Sequence, residues 1–287
     1  MNNIKKAIKL NLSFNLIQEI RLAQALMESK YFLCIDKNQA YKFAILRKKF
    51  NVNYILDNCG KYPCLTDVII SHKTPLTRVG KIKKILVFPR GIFNYLHDRW
   101  PQDRKYDFTF VGLLTKQRKK FFSSWFKKFQ NNKIFSVLDN SAKLIFRRIL
   151  FRFFNIPIFK IYTINRHNIL FCISNRGRKF PLKSWDDKYY EILLNSKFIL
   201  CPEGDCSWSY RFFEAIICGA IPIVEYRHSA YEGFFFYEKD DDPERMQWRQ
   251  DMAEKNFQLC HEILTIPIEE LNNEISNLLR NDNKCAQ

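Results

Sequence analysis

The chain has 287 residues, 47% of them hydrophobic, which is enough to fill one large core or two compact ones and excludes a disordered chain. Its formal net charge of +18 is unevenly spread: residues 197–287 carry 9 Lys/Arg against 17 Asp/Glu, while residues 1–196 carry 38 against 12. Such a basic front attracts phosphate, whether on nucleic acid, anionic lipid or nucleotide sugar, and charge alone does not choose among them.

The first 30 residues hold Gln18 and Glu19 inside an apolar pattern and read as an amphipathic helix, not a signal peptide. YFLCID (31–36), VNYIL (52–56), DVIIS (67–71) and KILVF (84–88) read as strands, with a helix over 39–50. Residues 89–106 break the rhythm with two prolines, a glycine and a charge run, and are taken as a linker. A second series follows: strand 107–112, helix 115–130, strand 134–138, a basic helical stretch over 141–154, strand 169–174, helix 186–195, strand 197–202, helix 209–218 and strand 220–224. Two helices, 244–264 and 268–280, close the chain. The expected fold class is α/β, with two Rossmann-like domains whose mainly parallel sheets face a central cleft. Their limits are 1–100 and 101–270, with a C-terminal helix and tail over 271–287.

No run of about 18 apolar residues is free of charge, so no membrane-spanning helix is expected. The nine cysteines are irregularly spaced, and the pairs Cys59/Cys64 and Cys201/Cys206 have nothing nearby to complete a zinc set, so no metal is expected. Thiols in a reducing cytoplasm are the ordinary reading. The run Asp240-Asp241-Asp242 invites a metal, but it precedes a helix, where acids favour the N-terminus. Residues 119–129 place Phe121, Phe122, Trp125, Phe126 and Phe129 on one helical face and lysines on the other. That face suits either packing on a sheet or an anionic membrane surface.

Residues 197–224, KFILCPEGDCSWSYRFFEAIICGAIPIV, carry the chemistry. An apolar strand ends at Pro202, a loop of small polar residues follows, and a helix opens near Ser209. Gly204 lets backbone come close to a ligand, Ser207 and Ser209 offer hydroxyls, and the helix N-terminus points free N–H groups at the crevice, which suits an anion. Arg211 and Glu214 stand three residues apart, near one face. An arginine pairs with phosphate oxygens and a carboxylate accepts from ribose hydroxyls, so the pair describes a nucleoside diphosphate. Alone, such a pair is more often an ordinary surface ion pair.

The segment resembles the signature of the exostosin-like glycosyltransferases, family 47. The matching residues are Ser196-Lys197-Phe198, Leu200, Pro202, Gly204, Ser209, Arg211-Phe212, Glu214-Ala215-Ile216, Gly219 and Ile221-Pro222-Ile223. KYDFTFVGLLTKQRKKFF (105–122) is similar to the strand and basic helix that open the donor domain in that family, with Arg118 where a phosphate-contacting arginine is expected. The resemblance implies a GT-B fold and a metal-independent, inverting transfer from a nucleotide-sugar donor to a glycan or lipid-linked glycan. It also implies a hexosyltransferase-like enzyme of polysaccharide biosynthesis. The Glu-x7-Glu pair of many retaining enzymes is interrupted, since Cys206 stands where its first acid would be. Donor-binding candidates are Arg118, Arg176, Glu203, Gly204, Ser207, Ser209, Tyr210, Arg211 and Glu214; candidate bases are Asp36 and His72, both at carboxyl ends of expected strands. No cofactor is expected beyond the donor itself. The expected location is cytoplasmic, peripheral to an anionic membrane. Three alternatives stay open: a retaining GT-B enzyme, a transferase-like assembly partner, and a basic nucleic-acid-binding protein, although no nucleic-acid-binding motif is found.

Overall fold

The computed structural model describes residues 6–57, 62–71, 73–129, 158–164, 166–173, 184–204 and 206–285. The expected strand over 134–138 and basic helix over 141–154 lie outside them. The chain divides into two compact units, Met1–Tyr95 with Lys179–Asp186 and His261–Gln287, and Leu96–Arg178 with Asp187–Cys260. Each is α/β and built on a mainly parallel sheet.

In the first unit the strands β1 (Ala7–Leu10), β2 (Phe32–Asp36), β3 (Tyr54–Asp57) and β4 (Cys64–Leu65) pair in the order β3-β2-β1-β4, all parallel. The N-terminal region is therefore not one helix. Ile8 and Leu10 point into the core from a strand, and only after Asn11–Asn15 does helix α1 (Ile17–Met27) begin. Alternating burial along AIKL makes it a strand, and Phe14, at φ 52°, turns the chain before the helix. Glu19 reaches back to accept the N–H groups of Asn15 and Leu16, satisfying donors that the helix start leaves open.

Helix α2 (Ala44–Phe50) follows a 3₁₀ turn over Lys37–Lys42. The strand expected at 67–71 forms, as β5 (Val68–Ser71), but in a separate antiparallel meander with β6 (Leu76–Val79) and β7 (Ile82–Lys84). A two-residue turn at Gly80-Lys81 sets Val79 opposite Ile82, so antiparallel pairing wins locally. The strand expected over 84–88 stops at Lys84: Leu86, Val87 and Phe88 are buried as a connection that runs into Pro89 and helix α3 (Arg90–His97). Glu28 caps that helix, accepting from the N–H groups of Arg90 and Gly91 at 3.0 and 2.8 Å.

Among its described residues the second unit has six strands, β8 (Tyr106–Gly112), β9 (Ile158–Ile164), β10 (His167–Ile173), β11 (Ser196–Cys201), β12 (Ile221–Val224) and β13 (Tyr237–Glu238), in the order β13-β12-β11-β8-β10-β9. Only the β9–β10 pair is antiparallel, and β9 is an element that the sequence reading passed over. The helices are α4 (Lys116–Lys127), α5 (Asp187–Leu194), α6 (Tyr210–Ile217) and α7 (Gln250–Leu264), which ends in the first unit; α8 (Ile268–Cys285) lies wholly in the first. The aromatic face of α4 is core: Phe121, Phe122, Trp125 and Phe126 pack with Phe108, Phe110 and Phe171 of the sheet. Ring centroids of Phe110 and Phe122 lie 4.5 Å apart, those of Phe108 and Trp125 5.0 Å. Lys116, Lys119, Lys120 and Lys127 are exposed on the other side. No helix among the described residues is long and apolar enough to cross a membrane.

Candidate functional site

The carboxyl ends of β8 and β11 lie side by side in the second unit because these two strands are paired. Past β8 the chain turns through Leu113 and Leu114 into α4, whose N-cap Thr115 accepts from the N–H of Arg118. Arg118 then reaches across to the neighbouring loop: its Nε donates to the carbonyl of Glu203 at 3.0 Å and its Nη1 to that of Leu113 at 2.9 Å. A Cβ on Gly204 would sit 2.9 Å from Arg118 Nη2, so the glycine makes room for the arginine itself. Glu203 accepts from Gln117 Nε2 at 3.3 Å, and burial, then the nearby Glu225, raises its pKa. Glu225 is itself buried, with one carboxylate oxygen lacking a hydrogen-bond partner.

Helix α6 is anchored from outside. Ser209 is its N-cap, but the side chain makes no cap bond; its N–H donates to the hydroxyl of Tyr231 at 2.6 Å, and Tyr231 stacks on Phe212 with ring centroids 3.9 Å apart. Burial pushes the Tyr231 phenol up, so it stays neutral. Ser207 is exposed and Tyr210 half-buried.

Arg211, in the first turn of α6, folds over the Phe110 ring, its guanidinium carbon 4.9 Å from the centroid. Its Nη2 lies where a Cβ on Gly112 would come within 2.3 Å, so only glycine fits at the end of β8. Nε and Nη1 of Arg211 are buried and have no acceptor. Leaving such donors unpaired costs about 1–3 kcal/mol, more for a charged group, and an oxyanion relieves that cost. Glu214 is turned the other way. Its carboxylate is buried and accepts from the hydroxyls of Tyr189 and Tyr190 on α5, the latter at 3.0 Å. Here it ties two helices together.

Of the candidate bases, Asp36 closes β2 in the first unit. It stands opposite Asp57 in the sheet, and Lys9 lies between them, its Nζ 3.1 Å from Asp36 and 2.6 Å from Asp57. Hydrogen bonds to Asp57 and then Asp36 raise the lysine's pKa, so it stays charged. His72 and Arg176 lie outside the described residues. Asp240–Asp242 does not start a helix, as α7 begins only at Gln250; Asp241 and Asp242 accept from the backbone N–H groups of Glu238 and Glu244 and so close a turn. Among the described residues no group of three or more His, Cys, Asp or Glu could hold a metal ion.

Residues 158–234 match the family model of the RXYLT1 C-terminal domain. That match supports a glycosyltransferase-like domain over this part of the chain. The segment spans β9 to just past Tyr231, and so includes the loop, α6 and both tyrosines that hold Glu214. No curated protein sequence matches the chain. Among solved structures it is similar to AviGT4, a glycosyltransferase involved in avilamycin A biosynthesis, at TM-score 0.34 and 8% identity, covering 64% of this chain and 53% of that one. It is also similar to a chain of the GtfA/B complex, at TM-score 0.31 and 12% identity, covering 88% and 46%. The chain thus spans about half the length of either.

The site also uses residues that the sequence reading did not single out. Gly112 carried a signal, a glycine ending an apolar strand. Tyr189, Tyr190 and Tyr231 carried none, since each acts on a group distant in sequence, and in the first unit the same holds for Lys9 beside Asp36.

Proposed function

We propose that the chain is a glycosyltransferase of GT-B type, resembling the exostosin-like family, that transfers a sugar from a nucleoside diphosphate to a glycan or lipid-linked glycan. The observation that carries this reading is Arg211: a guanidinium with two buried N–H groups lacking acceptors, at the N-terminus of α6, beside Arg118 and two glycines. The match of residues 158–234 to the RXYLT1 C-terminal domain supports it. On this reading the diphosphate lies at the tip of α6 and takes up Arg211. As the bond between the sugar and the diphosphate breaks, negative charge grows on the leaving oxygens, where a fixed cation and helix dipole act most strongly. The acceptor hydroxyl bonds to the anomeric carbon from the opposite face, with inversion, and its proton passes to a base, for which Asp36 and His72 are the candidates. Charge neutralisation by arginine leaves no step that requires a metal.

Calorimetric titration with UDP and GDP, with and without a chelator, tests the proposal. Binding of one of them, unchanged by chelator, is the expected result. Loss of binding in chelator overturns the metal-free account, and no binding of either nucleotide overturns the donor site.

A further inference from the structure

The opposite edge of the same sheet carries a second basic site. Strand β8 has seven residues, so its amino end lies about 20 Å from the Arg211 edge at roughly 3.3 Å per residue. There, a cavity of about 450 Å³ is lined by Arg104, Lys105, Arg166, Lys197 and Trp248, among others.

Arg104 defines it. The residue is 8% exposed, and its Nη1 donates to the carbonyls of Leu194, Ser196 and Cys218 at 2.8 to 3.0 Å, at the end of α5, the start of β11 and the end of α6. Its guanidinium carbon lies 4.9 Å from the Trp248 ring and 5.7 Å from that of Trp100. Nε and Nη2, however, are buried with no acceptor, and no carboxylate of the described residues pairs with it. A buried cation without a counter-charge is expensive, because neither carbonyl dipoles nor indole faces replace an anion. Burial accordingly pulls its pKa down to about 10.

One acid, Asp107, lines the cavity itself, and a second, Glu244, stands near. Asp107 pairs with Lys197 at 2.8 Å, and Glu244 meets His167 at 3.2 Å and Arg166 at 3.9 Å. They leave Arg104 and Lys105 unbalanced, with Arg166, 76% exposed, on the lining and held only loosely at 3.9 Å from Glu244. We infer that this cavity, at the amino edge of the sheet, binds a phosphate-bearing ligand through Arg104, Lys105 and Arg166, separately from the nucleotide site proposed above. The phosphate group is the recognised chemistry, whether free or on a lipid headgroup.

Arg104→Ala would strip three carbonyls of their donor and risks unfolding, so the test uses the surface pair Lys105→Ala/Arg166→Ala in the full-length chain. Pyrophosphate binding is measured by calorimetry in wild type, in Arg211→Ala, in the surface pair, and in the triple variant. The expected result is binding that survives Arg211→Ala, weakens as salt rises, and falls at least 10-fold when the surface pair is added. Sedimentation with phosphatidylglycerol against phosphatidylcholine vesicles separates the sources. A defect of the surface pair confined to anionic vesicles assigns a lipid headgroup, and one seen with pyrophosphate assigns a free phosphate. If Arg211→Ala alone abolishes pyrophosphate binding and the surface pair changes neither assay, the second site does not exist. If instead the surface pair abolishes pyrophosphate binding and Arg211→Ala leaves it unchanged, the second site stands and the donor-site reading falls. Equal binding of an uncharged oligosaccharide by wild type and the surface pair, with no phosphate binding, also overturns the inference.

Discussion

Arg211 and Glu214 stand three residues apart on one helix and face opposite demands. Arg211 has donors to spare, whereas the carboxylate of Glu214 is already engaged by two tyrosine hydroxyls. Arg211→Ala is therefore expected to leave stability nearly unchanged while lowering kcat for donor turnover by roughly 10²-fold, because its contribution grows with charge in the transition state. Steady-state kinetics with urea denaturation of the same preparations checks both halves. Glu214→Ala should do the reverse. Two buried hydroxyls lose their acceptor, and stability should fall by about 1–3 kcal/mol in urea denaturation, with Glu214→Gln recovering part of the loss. A rise in donor KM beyond what unfolding accounts for would show that the carboxylate also meets the ribose.

At the scale of the element, α6 has eight residues and is too short to hold itself, so its start is fixed by tertiary contacts. The decisive one is the Tyr231 hydroxyl on the N–H of Ser209, made by a residue two elements further on. Tyr231→Phe keeps the stack on Phe212 and removes only that acceptor. We expect a loss of about 1 kcal/mol in stability, with weaker nucleoside diphosphate binding as the helix tip loosens, measured by denaturation and calorimetry. Helix α4 shows a different balance. Its aromatic face was legible in the sequence, since the aromatics recur at helical spacing, whereas its capping Thr115 was not singled out there. Whether that face met lipid or protein was not legible, because periodicity describes a stripe and not its partner.

For the whole molecule, the basic front leaves Lys116, Lys119, Lys120 and Lys127 exposed on α4 once its aromatics are buried. Any membrane affinity from this helix is then electrostatic alone, on the order of 1 kcal/mol per lysine near an anionic surface. Cosedimentation with anionic vesicles should weaken on raising salt and on Lys119→Glu/Lys120→Glu, whereas salt-independent binding would point to inserted aromatics and contradict the packing of Phe121 and Trp125.

Local chemistry is what the sequence by itself determined. Alternating α and β elements, the strand, loop and helix of residues 196–217 and Arg211 at the start of that helix follow from hydrophobic period, turn residues and spacing, while Arg118 was pointed to by the family resemblance. These depend on neighbours within a few positions. Partners decided the rest. That AIKL is an inner strand and not part of a helix depends on its pairing with Phe32–Cys34 and Cys64–Leu65. That Gly204 makes room for Arg118 depends on a residue of helix α4, far away in sequence. Tyr189 and Tyr190 claim Glu214, and Lys9 sits between Asp36 and Asp57, because strand order and helix packing bring distant side chains within bonding distance. A single sequence records each group's capacity to bond, and only the folded chain assigns that capacity to a partner.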